Sequence, residues 1–502
     1  MAADRRKILV LAVTITLTAF ASVGLTARAA ASHVHDAVWA YSAAHPGQPV
    51  PVIVQTAPGA EPDRAVLAAG GTLRSELGII HAVAADVPAD RLASLATDRA
   101  VTWVSLDAPV GATDRNGDAN RRGGSGDASG PPSVYPQEIR ADRAWSNGDQ
   151  GQGLSVAVVD TGIVNSPDFG SPRRIVASVT RDGSRRDGYG HGSHVAGLIA
   201  GNGAQSDGTY TGVAPATNLV NVKVGDDQGV ATLSDVITGL QFVLENKDRY
   251  NIRVVNLSLL SSTAQSYTTD PLDAAVELLT FRGILVVAAA GNTGTAADAV
   301  NYAPANDPFV LAVGAVDDMG TAGIGDDSVT PWSSRGTTQD GFAKPDVYTP
   351  GRHLVSVLSP GSVLAAQSPQ NIVDEHYLKL SGTSMAAGVA SGAAALVISA
   401  HPDWTPGQVK AAIVAGAVPL PSDGSAPLVQ VDRAAAAAAP VDTSLNITPN
   451  YLLLQAAGFA DPASITWGSI RWGSIRWGSI TWGSIRWGSI RWGSIRWGYV
   501  PD

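Results

Sequence analysis

Three short stretches of the sequence place an acid, an imidazole and a hydroxyl beside closely spaced glycines. Asp160 ends an apolar run at residues 155–159, and His191 lies between two glycines at the start of a helical segment. Ser384 follows a Gly-Thr turn at the head of an apolar helical stretch. Glycine allows the backbone to approach a substrate closely, and a serine at a helix start lies beside unpaired N–H groups that can stabilise an oxyanion. These residue types therefore suit nucleophilic acyl transfer.

Each stretch also has an ordinary structural interpretation. An Asp after a strand often caps a helix, a lone His is more often structural than catalytic, and a Gly-Thr-Ser turn can be only an N-cap. The order along the chain, Asp, then His, then Ser, is one of the orders known for a catalytic triad. A fourth stretch supports catalysis, because Asn292 lies in a glycine turn directly after an apolar run at residues 286–290. The four stretches together predict a serine hydrolase.

These four stretches resemble the motifs of the subtilisin-like serine peptidase family (subtilases, peptidase S8). The resemblance implies that Ser384 attacks the scissile carbonyl and that His191 accepts its proton and passes it to the leaving amine. It assigns to Asp160 the orientation of the imidazole. It also implies an oxyanion hole formed by the Asn292 side-chain amide and the Ser384 backbone N–H, with Thr383 as a helper. The implied activity is that of a serine-type endopeptidase.

The resemblance also places two backbone edges that would pair with an extended peptide substrate. Such pairing reads main-chain amides, so it favours broad specificity with side-chain pockets adding preference. Leu260 stands where the family has a glycine, and we expect its side chain to narrow a pocket. Thr293 stands where a charged residue would select basic side chains, so we expect an apolar or aromatic residue before the cleaved bond. The substrate-binding residues assigned in this way are Ser258, Leu259, Leu260, Gly229, Ala289, Gly291 and Thr293.

The segment that the resemblance covers, roughly residues 135–439, alternates short β-branched runs with helical stretches. The strand-like runs are nearly continuously apolar, as expected for strands of a parallel sheet covered on both faces. The expected fold class is therefore α/β, a three-layer α/β/α domain with a mostly parallel sheet, preceded by a small α+β prodomain. Strands are predicted at residues 155–159, 218–224, 253–257, 283–289 and 309–316, and helices at residues 191–200, 233–245 and 272–281.

The first 31 residues have the pattern of an export signal. Positive residues at 5–7 precede an almost entirely apolar run at 8–25, and small residues at 27 and 29 suit a signal peptidase. The alternative is an uncleaved membrane anchor, because the apolar run approaches spanning length. We expect a secreted, extracellular protein, and the Ala-, Gly- and Val-rich composition with a short signal fits a bacterial host.

Residues 32–110 are expected to form a propeptide, followed by a linker at residues 111–134. The linker is rich in Gly, Asp, Arg, Asn and Ser and has no apolar periodicity, so it should be mobile and easily cut. Strand patterns lie at residues 51–55, 79–87 and 101–106, and helical patterns at residues 62–69 and from residue 88 to about residue 95.

The resemblance implies that this propeptide is an inhibitor-type (I9) prodomain, which assists folding and then caps the active site. Its last strand would run through residues 104–108 into the substrate cleft. Self-cleavage is expected between about Asp107 and the linker, with a second processing site at Arg121-Arg122. The alternative is an accessory domain that stays attached.

The C-terminal tail, residues 440–502, contains a five-residue repeat of the form Ser-Ile-Arg-Trp-Gly between residues 464 and 497, with Thr466 and Thr481 replacing Arg. Arg favours stacking on Trp, and exposed Trp binds sugars or a lipid interface. The repeat is therefore expected to contact a cell wall or membrane surface, or to assemble copies of the chain. A low-complexity tail with no partner is the alternative, and a non-catalytic surface-binding protein is the alternative function.

Composition and charge exclude several other classes of function. The formal net charge of −10 and the absence of a basic stripe argue against a nucleic-acid partner. The chain has no cysteine, which excludes disulfides, thiolate catalysis and thiolate zinc sites. Protein or peptide substrates and the chain's own propeptide are the expected partners, although the same triad could hydrolyse other esters or amides.

The proposed chemistry requires no cofactor. Structural calcium is compatible with the family, but it is not evident in the Gly-rich stretch at residues 201–212, where Asp207 is the single acid. His191 and His194 also suggest zinc, but their spacing lacks the Glu of a metallopeptidase helix and a third ligand. We therefore assign no metal ligands and expect His194 to be a packed or hydrogen-bonded residue.

Overall fold

The computed structural model describes residues 33–112, 133–170, 173–181, 183–184 and 186–456. These residues belong to two compact units, Met1–Asp107 and Ala108–Asp502. The expected signal at residues 1–31, most of the linker and the whole Trp-containing repeat lie outside the described residues.

The first unit is built on a four-stranded antiparallel sheet with the strand order β2-β3-β1-β4. Its strands are β1 (Pro49–Thr56), β2 (Thr72–Leu77), β3 (Ala82–Pro88) and β4 (Val101–Leu106), and its helices are α1 (Asp36–Ala44), α2 (Pro62–Ala68) and α3 (Leu92–Thr97). The predicted strand at residues 79–87 begins later, because residues 78–80 form a short 3₁₀ turn that ends at His81 in the left-handed region, with φ 53°. Strand β2 was not predicted, since five of its six residues are at least partly exposed and carry no alternating apolar pattern.

The second unit contains one large sheet and several small ones. Its strands are β5 (Pro109–Ala112), β6 (Ser155–Asp160), β7 (Ile175–Thr180), β8 (Asn218–Lys223), β9 (Val230–Thr232), β10 (Ile252–Leu257), β11 (Leu259–Ser261), β12 (Leu285–Ala289), β13 (Leu311–Asp317), β14 (Ser328–Val329), β15 (Gly336–Thr337), β16 (Ala343–Lys344), β17 (Val347–Pro350), β18 (Leu354–Val357), β19 (Ile372–Val373), β20 (Tyr377–Leu380), β21 (Val418–Pro419) and β22 (Pro427–Leu428). The large sheet has the order β21-β22-β17-β13-β12-β10-β6-β8-β7, with β14 beside β13. Every pair is parallel except β21 with β22 and β13 with β14.

Helices cover this sheet and give the expected three-layer α/β/α arrangement. They are α4 (Tyr135–Glu138), α5 (Ala141–Ser146), α6 (His191–Ala200), α7 (Leu233–Asn246), α8 (Pro271–Phe281), α9 (Val363–Gln367), α10 (Thr383–Ala400), α11 (Pro406–Gly416), α12 (Val431–Ala435) and α13 (Tyr451–Ala456). Every residue of β6, β12 and β13 is buried, as parallel strands with both faces covered require. The sequence-based strand and helix predictions for this unit are confirmed to within two residues at each end.

Helix α10 is the central helix of the second unit. It is long and apolar enough to span a membrane, but 89% of that stretch is buried inside the protein, so it is a core helix. It packs closely on α6, since a side chain at Gly388 would lie 3.4 Å from Leu198 Cβ. A Cβ at Gly392 would lie 3.2 Å from the Ile199 carbonyl oxygen in α6 and 2.6 Å from Val213 Cβ in the segment after α6. Small residues in α10 therefore let the two helices meet.

The folded part of the chain continues past residue 440, where the tail was expected to begin. The Asn450 backbone N–H donates to both carboxylate oxygens of Glu277 in α8, at 3.0 and 2.8 Å. The Asn450 side chain donates to the Asp270 carbonyl at 2.9 Å and accepts from Leu452 N at 2.8 Å, which starts helix α13. These bonds attach the segment that precedes the repeat to the surface of α8.

Candidate active site

Three chemically important residues follow neighbouring strands of the large sheet. Asp160 is the last residue of β6, Ser258 directly follows β10, and Asn292 lies three residues beyond β12. Strands β6, β10 and β12 are adjacent and parallel, so their carboxyl ends lie at one edge of the sheet. Ligands of open α/β sheets bind at this edge.

Asp160 and His191 form a buried hydrogen-bonded pair. The His191 Nδ1 lies 2.8 Å from one Asp160 carboxylate oxygen and 3.0 Å from the other. His191 is fully buried, and Asp160 is 4% exposed. The carboxylate can only accept, so Nδ1 carries the proton and Nε2 is the basic nitrogen. The pair therefore fixes the ring orientation and the tautomer that a general base needs.

Ser384 is the second residue of α10 and is fully buried. Its Oγ donates to the Ser258 carbonyl at 3.1 Å, and the Ser258 Oγ donates back to the Ser384 carbonyl at 3.0 Å. This reciprocal pair joins the start of α10 to the end of β10. Because α6 begins at His191 and packs on α10, the two helices bring the imidazole and the hydroxyl to the same edge of the sheet.

The Asn292 side chain is oriented by Thr383. Its Oδ1 accepts from the Thr383 backbone N–H at 3.1 Å and from the Thr383 Oγ1 at 3.0 Å. The same Thr383 Oγ1 accepts from Gly291 N at 3.1 Å. Because Oδ1 accepts from both Thr383 donors, the Asn292 amide nitrogen points away from Thr383. An oxyanion hole requires that this nitrogen, and not Oδ1, faces the substrate oxygen.

Asp187 is a further residue of the site, and sequence reasoning missed it. One oxygen of its buried carboxylate accepts from Thr161 Oγ1 at 2.8 Å and Gly190 N at 2.7 Å. The other oxygen accepts from Ser193 N at 2.8 Å and Ser193 Oγ at 2.6 Å. Burial raises the pKa of Asp187 above its ordinary value, while these hydrogen bonds oppose the shift. The carboxylate thus links the residue after Asp160 to the turn that holds His191.

His194 is a structural residue. Its Nε2 donates to two backbone carbonyls, Leu378 at 2.9 Å and Leu354 at 3.2 Å. Burial, and secondly the neighbouring His191, lower the pKa of His194 to about 3, so the ring is neutral. An Nε2 committed to carbonyls does not suit a zinc ligand, and among the described residues no group of three or more His, Asp or Glu side chains could hold a metal ion.

The stretch at residues 201–212, considered above for calcium, is closed by protein hydrogen bonds. The nearby Asp168 carboxylate accepts from Gln205 N at 2.9 Å with one oxygen and from the Tyr377 hydroxyl at 2.7 Å with the other. Asn202 and Thr211 form an isolated antiparallel bridge across the stretch. These contacts stabilise the loop directly.

A three-stranded antiparallel sheet, in the order β11-β5-β9, forms the expected substrate cleft. Residues 110–112 of β5 pair with Ser261, Leu260 and Leu259, and residues 109–111 pair with residues 230–232 of β9. The chain's own residues 109–112 therefore lie between the two backbone edges that are expected to pair with a substrate. Strand β4 ends at Leu106 inside the first unit, and the residues that pair with β11 and β9 are 109–112, which follow the predicted stretch 104–108. Residues 111 and 112, the first two of the predicted linker, belong to β5.

The remaining residues assigned to substrate binding lie around this sheet. Gly229 has φ +80° and lies against the Tyr189 ring. Sequence reasoning did not assign Tyr189 to the cleft. Thr293 bonds to the Ser334 hydroxyl through its N–H at 3.1 Å and its Oγ1 at 3.0 Å. Ala289 ends β12 and packs in the hydrophobic core. Ser258 and Leu259 share a small cavity with Ala112 and Asp160, which places the end of β5 beside Asp160.

Part of the chain is similar to known proteins. A family model described as the Subtilase family matches residues 151–443. Serine protease AprX of Bacillus subtilis (strain 168) is 40% identical over 269 residues, which are 52% of this chain and 60% of AprX. Subtilisin Savinase of Lederbergia lenta is 36% identical over 272 residues, 54% of this chain and 86% of Savinase.

Among solved structures, fervidolysin from Fervidobacterium pennivorans, a keratinolytic enzyme related to subtilisin, superposes with a TM-score of 0.57 at 22% identity. The match covers 79% of this chain and 62% of fervidolysin, and at this identity it shows a shared fold alone. The chain thus spans about three fifths of AprX and of fervidolysin.

Proposed function

The chain belongs to the subtilase family of serine endopeptidases, and we propose that it hydrolyses peptide bonds through Asp160, His191 and Ser384. The observation that carries the proposal is the buried bond between His191 Nδ1 and Asp160, 2.8 Å long, at the sheet edge where α10 presents Ser384.

In the proposed reaction, the Ser384 Oγ attacks the scissile carbonyl carbon as its proton moves to His191 Nε2. The Asn292 amide N–H and the Ser384 backbone N–H hold the resulting oxyanion. His191 then donates its proton to the leaving amine, and an acyl ester remains on Ser384. Water, deprotonated by the same imidazole, hydrolyses the ester and restores the hydroxyl. Asp160 stabilises the imidazolium in both steps.

The substrate is proposed to be an extended peptide between β11 and β9, in the register that β5 shows. Main-chain pairing on both sides favours broad specificity. The side chain at Val110 is 1% exposed between Ser261 and Ala231, so this position of a substrate accepts a small apolar residue. Thr293 brings no charge to the cleft, which favours an apolar residue before the cleaved bond.

The chain is proposed to be synthesised as a zymogen that processes itself. Strand β5 runs antiparallel to β11 and approaches Ser258, whose carbonyl is bonded to the Ser384 hydroxyl. The proposed cut lies within the first residues after Ala112, and the released segment inhibits the enzyme by filling its cleft. This is later in the chain than residues 107–110, because the cleft segment extends to residue 112.

We also propose secretion, from the export-signal pattern of residues 1–31, and contact with a cell-wall or membrane surface through the Trp/Arg repeat. The repeat contains arginine but no acid, whereas the whole chain carries a formal charge of −10. Deleting residues 464–502 should release the enzyme from such a surface without changing peptide hydrolysis. Equal retention of both forms would refute the surface contact.

The experiment that tests the catalytic proposal compares the wild-type precursor with Ser384→Ala. We expect the wild type to lose roughly its first hundred residues, with a new N-terminus just after residue 112, and to digest unfolded casein. Ser384→Ala should stay at full length, with activity lower by about 10⁶. Intact mass, N-terminal sequencing and casein cleavage measure these outcomes.

The matched control is Ser399→Ala, near the other end of α10 and partly exposed. It should process itself and digest casein like the wild type. A Ser384→Ala protein that still matures in isolation would refute the assignment of the nucleophile. A wild type that stays whole and inert on casein would refute the proposed function.

A further inference from the structure

The faces of the cleft sheet determine where each substrate side chain goes. Gly111 lies directly opposite Leu260 on one side and Val230 on the other, and directly opposite residues of antiparallel strands share a face. Val110 lies on the other face. Val110 is 1% exposed and Val230 is 44% exposed, so Leu260 belongs to the outer face and Val110 to the inner one.

In a substrate bound in the register of β5, the residue that follows the position of Ala112 lies on the same face of the sheet as Leu260. Side chains alternate along a strand, so the residue after the position of Ala112 points to the same face as Gly111. That residue comes opposite Ser258, because Ala112 pairs with Leu259 and the strands are antiparallel. The Ser258 carbonyl is bonded to the Ser384 Oγ. This side chain therefore belongs to the residue immediately before the scissile bond, and it neighbours Leu260.

The Leu260 side chain crosses the space that this substrate side chain needs. A Cβ added at Gly291 would lie 2.8 Å from Leu260 Cδ1 and 2.9 Å from the Ser334 Oγ. Gly291 directly precedes Asn292 and follows β12, so it forms the wall opposite β11. Gly291 has φ +104° and its N–H is bonded to Thr383 Oγ1, which holds this wall in place. The isobutyl group of Leu260 thus reaches from one wall of the pocket to the other.

We propose that Leu260 determines specificity by shortening this pocket, so that the enzyme cleaves after small residues such as Ala, Ser or Thr and discriminates against aromatic ones. The inference rests on the proposed endopeptidase function and narrows it. A large ring enters only if the Leu260 side chain or the Gly291 turn moves, and the Gly291 turn is bonded to Thr383 beside the oxyanion hole. The residues at and after the end of β5, Ala112 and Thr113, are both small.

The test uses peptide nitroanilides of one common sequence, Val-Gly-Ala-X, which copies residues 110–112, and X is Ala, Leu or Phe. For the mature wild-type enzyme we expect kcat/KM for X = Ala to exceed that for X = Phe by about 10–200-fold, the range expected for size discrimination in an apolar pocket. The series Leu260→Val, Leu260→Ala and Leu260→Gly should raise the Phe/Ala ratio stepwise as the side chain shrinks. The ratio cancels any general loss of activity in the variants.

The matched control is Val441→Gly, which trims an apolar side chain that is 78% exposed and has no part in the cleft. It should keep the wild-type Phe/Ala ratio. A wild type that prefers Phe, or a ratio that does not change across the Leu260 series, overturns the inference while casein digestion upholds the proposed function. A wild type inert on casein as well overturns both.

Discussion

Replacing Asp187 by Asn should damage both stability and catalysis. The Asp187 carboxylate accepts four hydrogen bonds, from Thr161 Oγ1, Gly190 N, Ser193 N and Ser193 Oγ. An asparagine side chain keeps one accepting oxygen, but an N–H₂ group replaces the second oxygen. This group faces the donors from which the second Asp187 oxygen accepts in the wild type. Two of the four bonds are then lost, and at least one buried backbone N–H loses its partner.

The size of the effect follows from these two bonds. A hydrogen bond to a charged group contributes about 1.5–3 kcal/mol, so the variant should lose about 3–6 kcal/mol of unfolding free energy. This is a large share of the roughly 5–15 kcal/mol that stabilises a typical protein. Gly190 and Ser193 flank His191, so the imidazole should also shift, and a 1 Å misplacement of a catalytic group costs about 10² in rate.

Urea unfolding in the Ser384→Ala background measures the stability change without autolysis. Peptide hydrolysis well below the unfolding temperature measures kcat and KM separately, and we expect the loss to fall on kcat. The matched control is Asp248→Asn, since this exposed carboxylate pairs with Lys247 on the surface and should contribute at most about 1 kcal/mol. An Asp187→Asn protein as stable and as active as Asp248→Asn would refute the reasoning.

Two other predictions concern the oxyanion hole and pH. Asn292→Ala should lower kcat by about 10²–10³ with little change in unfolding free energy, and an equal loss of stability in urea would instead indicate a turn residue. Burial raises the pKa of Asp270 and of Asp307 from 3.8 to about 7. The folded state therefore binds more protons than the unfolded state between about pH 4 and 7, so the stability these groups contribute is present at low pH and is lost as pH rises through 7. The measurement is urea unfolding from pH 5 to 8 in the Ser384→Ala background. Asp270→Asn preserves the N-cap of α8 and should make the decline of unfolding free energy with pH shallower. An unchanged slope would contradict the assignment.

The catalytic motifs and the order of strands and helices could be predicted from the sequence because both depend on short-range patterns. A continuously apolar run such as 285–289 predicts a buried strand. The glycines beside Asn292 mark a turn after that strand, and the glycines beside His191 mark the turn that begins a helix. The family motifs then identified Asp160, His191 and Ser384 as one set. Each motif consists of residues within about ten positions of one another, and the family resemblance joins the separate motifs.

Other features depend on pairing between distant parts of the chain. Asp187 follows no apolar strand and belongs to no recognised motif, and its role comes from bonds to Thr161 and Ser193 in separate elements. Residues 109–112 have an unremarkable sequence, and their position in the cleft comes from pairing with β11, about 150 positions later. A local pattern carries no signal for a partner so far away.

The sequence by itself determined the family and the α/β alternation and predicted the catalytic residues, because glycine turns and buried strands have local signatures. It also showed Leu260 in place of a glycine, and so predicted a narrower pocket. Only the tertiary structure decided that the Leu260 side chain reaches Gly291, the contact on which the proposed specificity rests. The physical reason is that side chains alternate between the two faces of a strand, and a local sequence pattern can show this alternation. The packing of the whole chain decides which residues lie opposite each face.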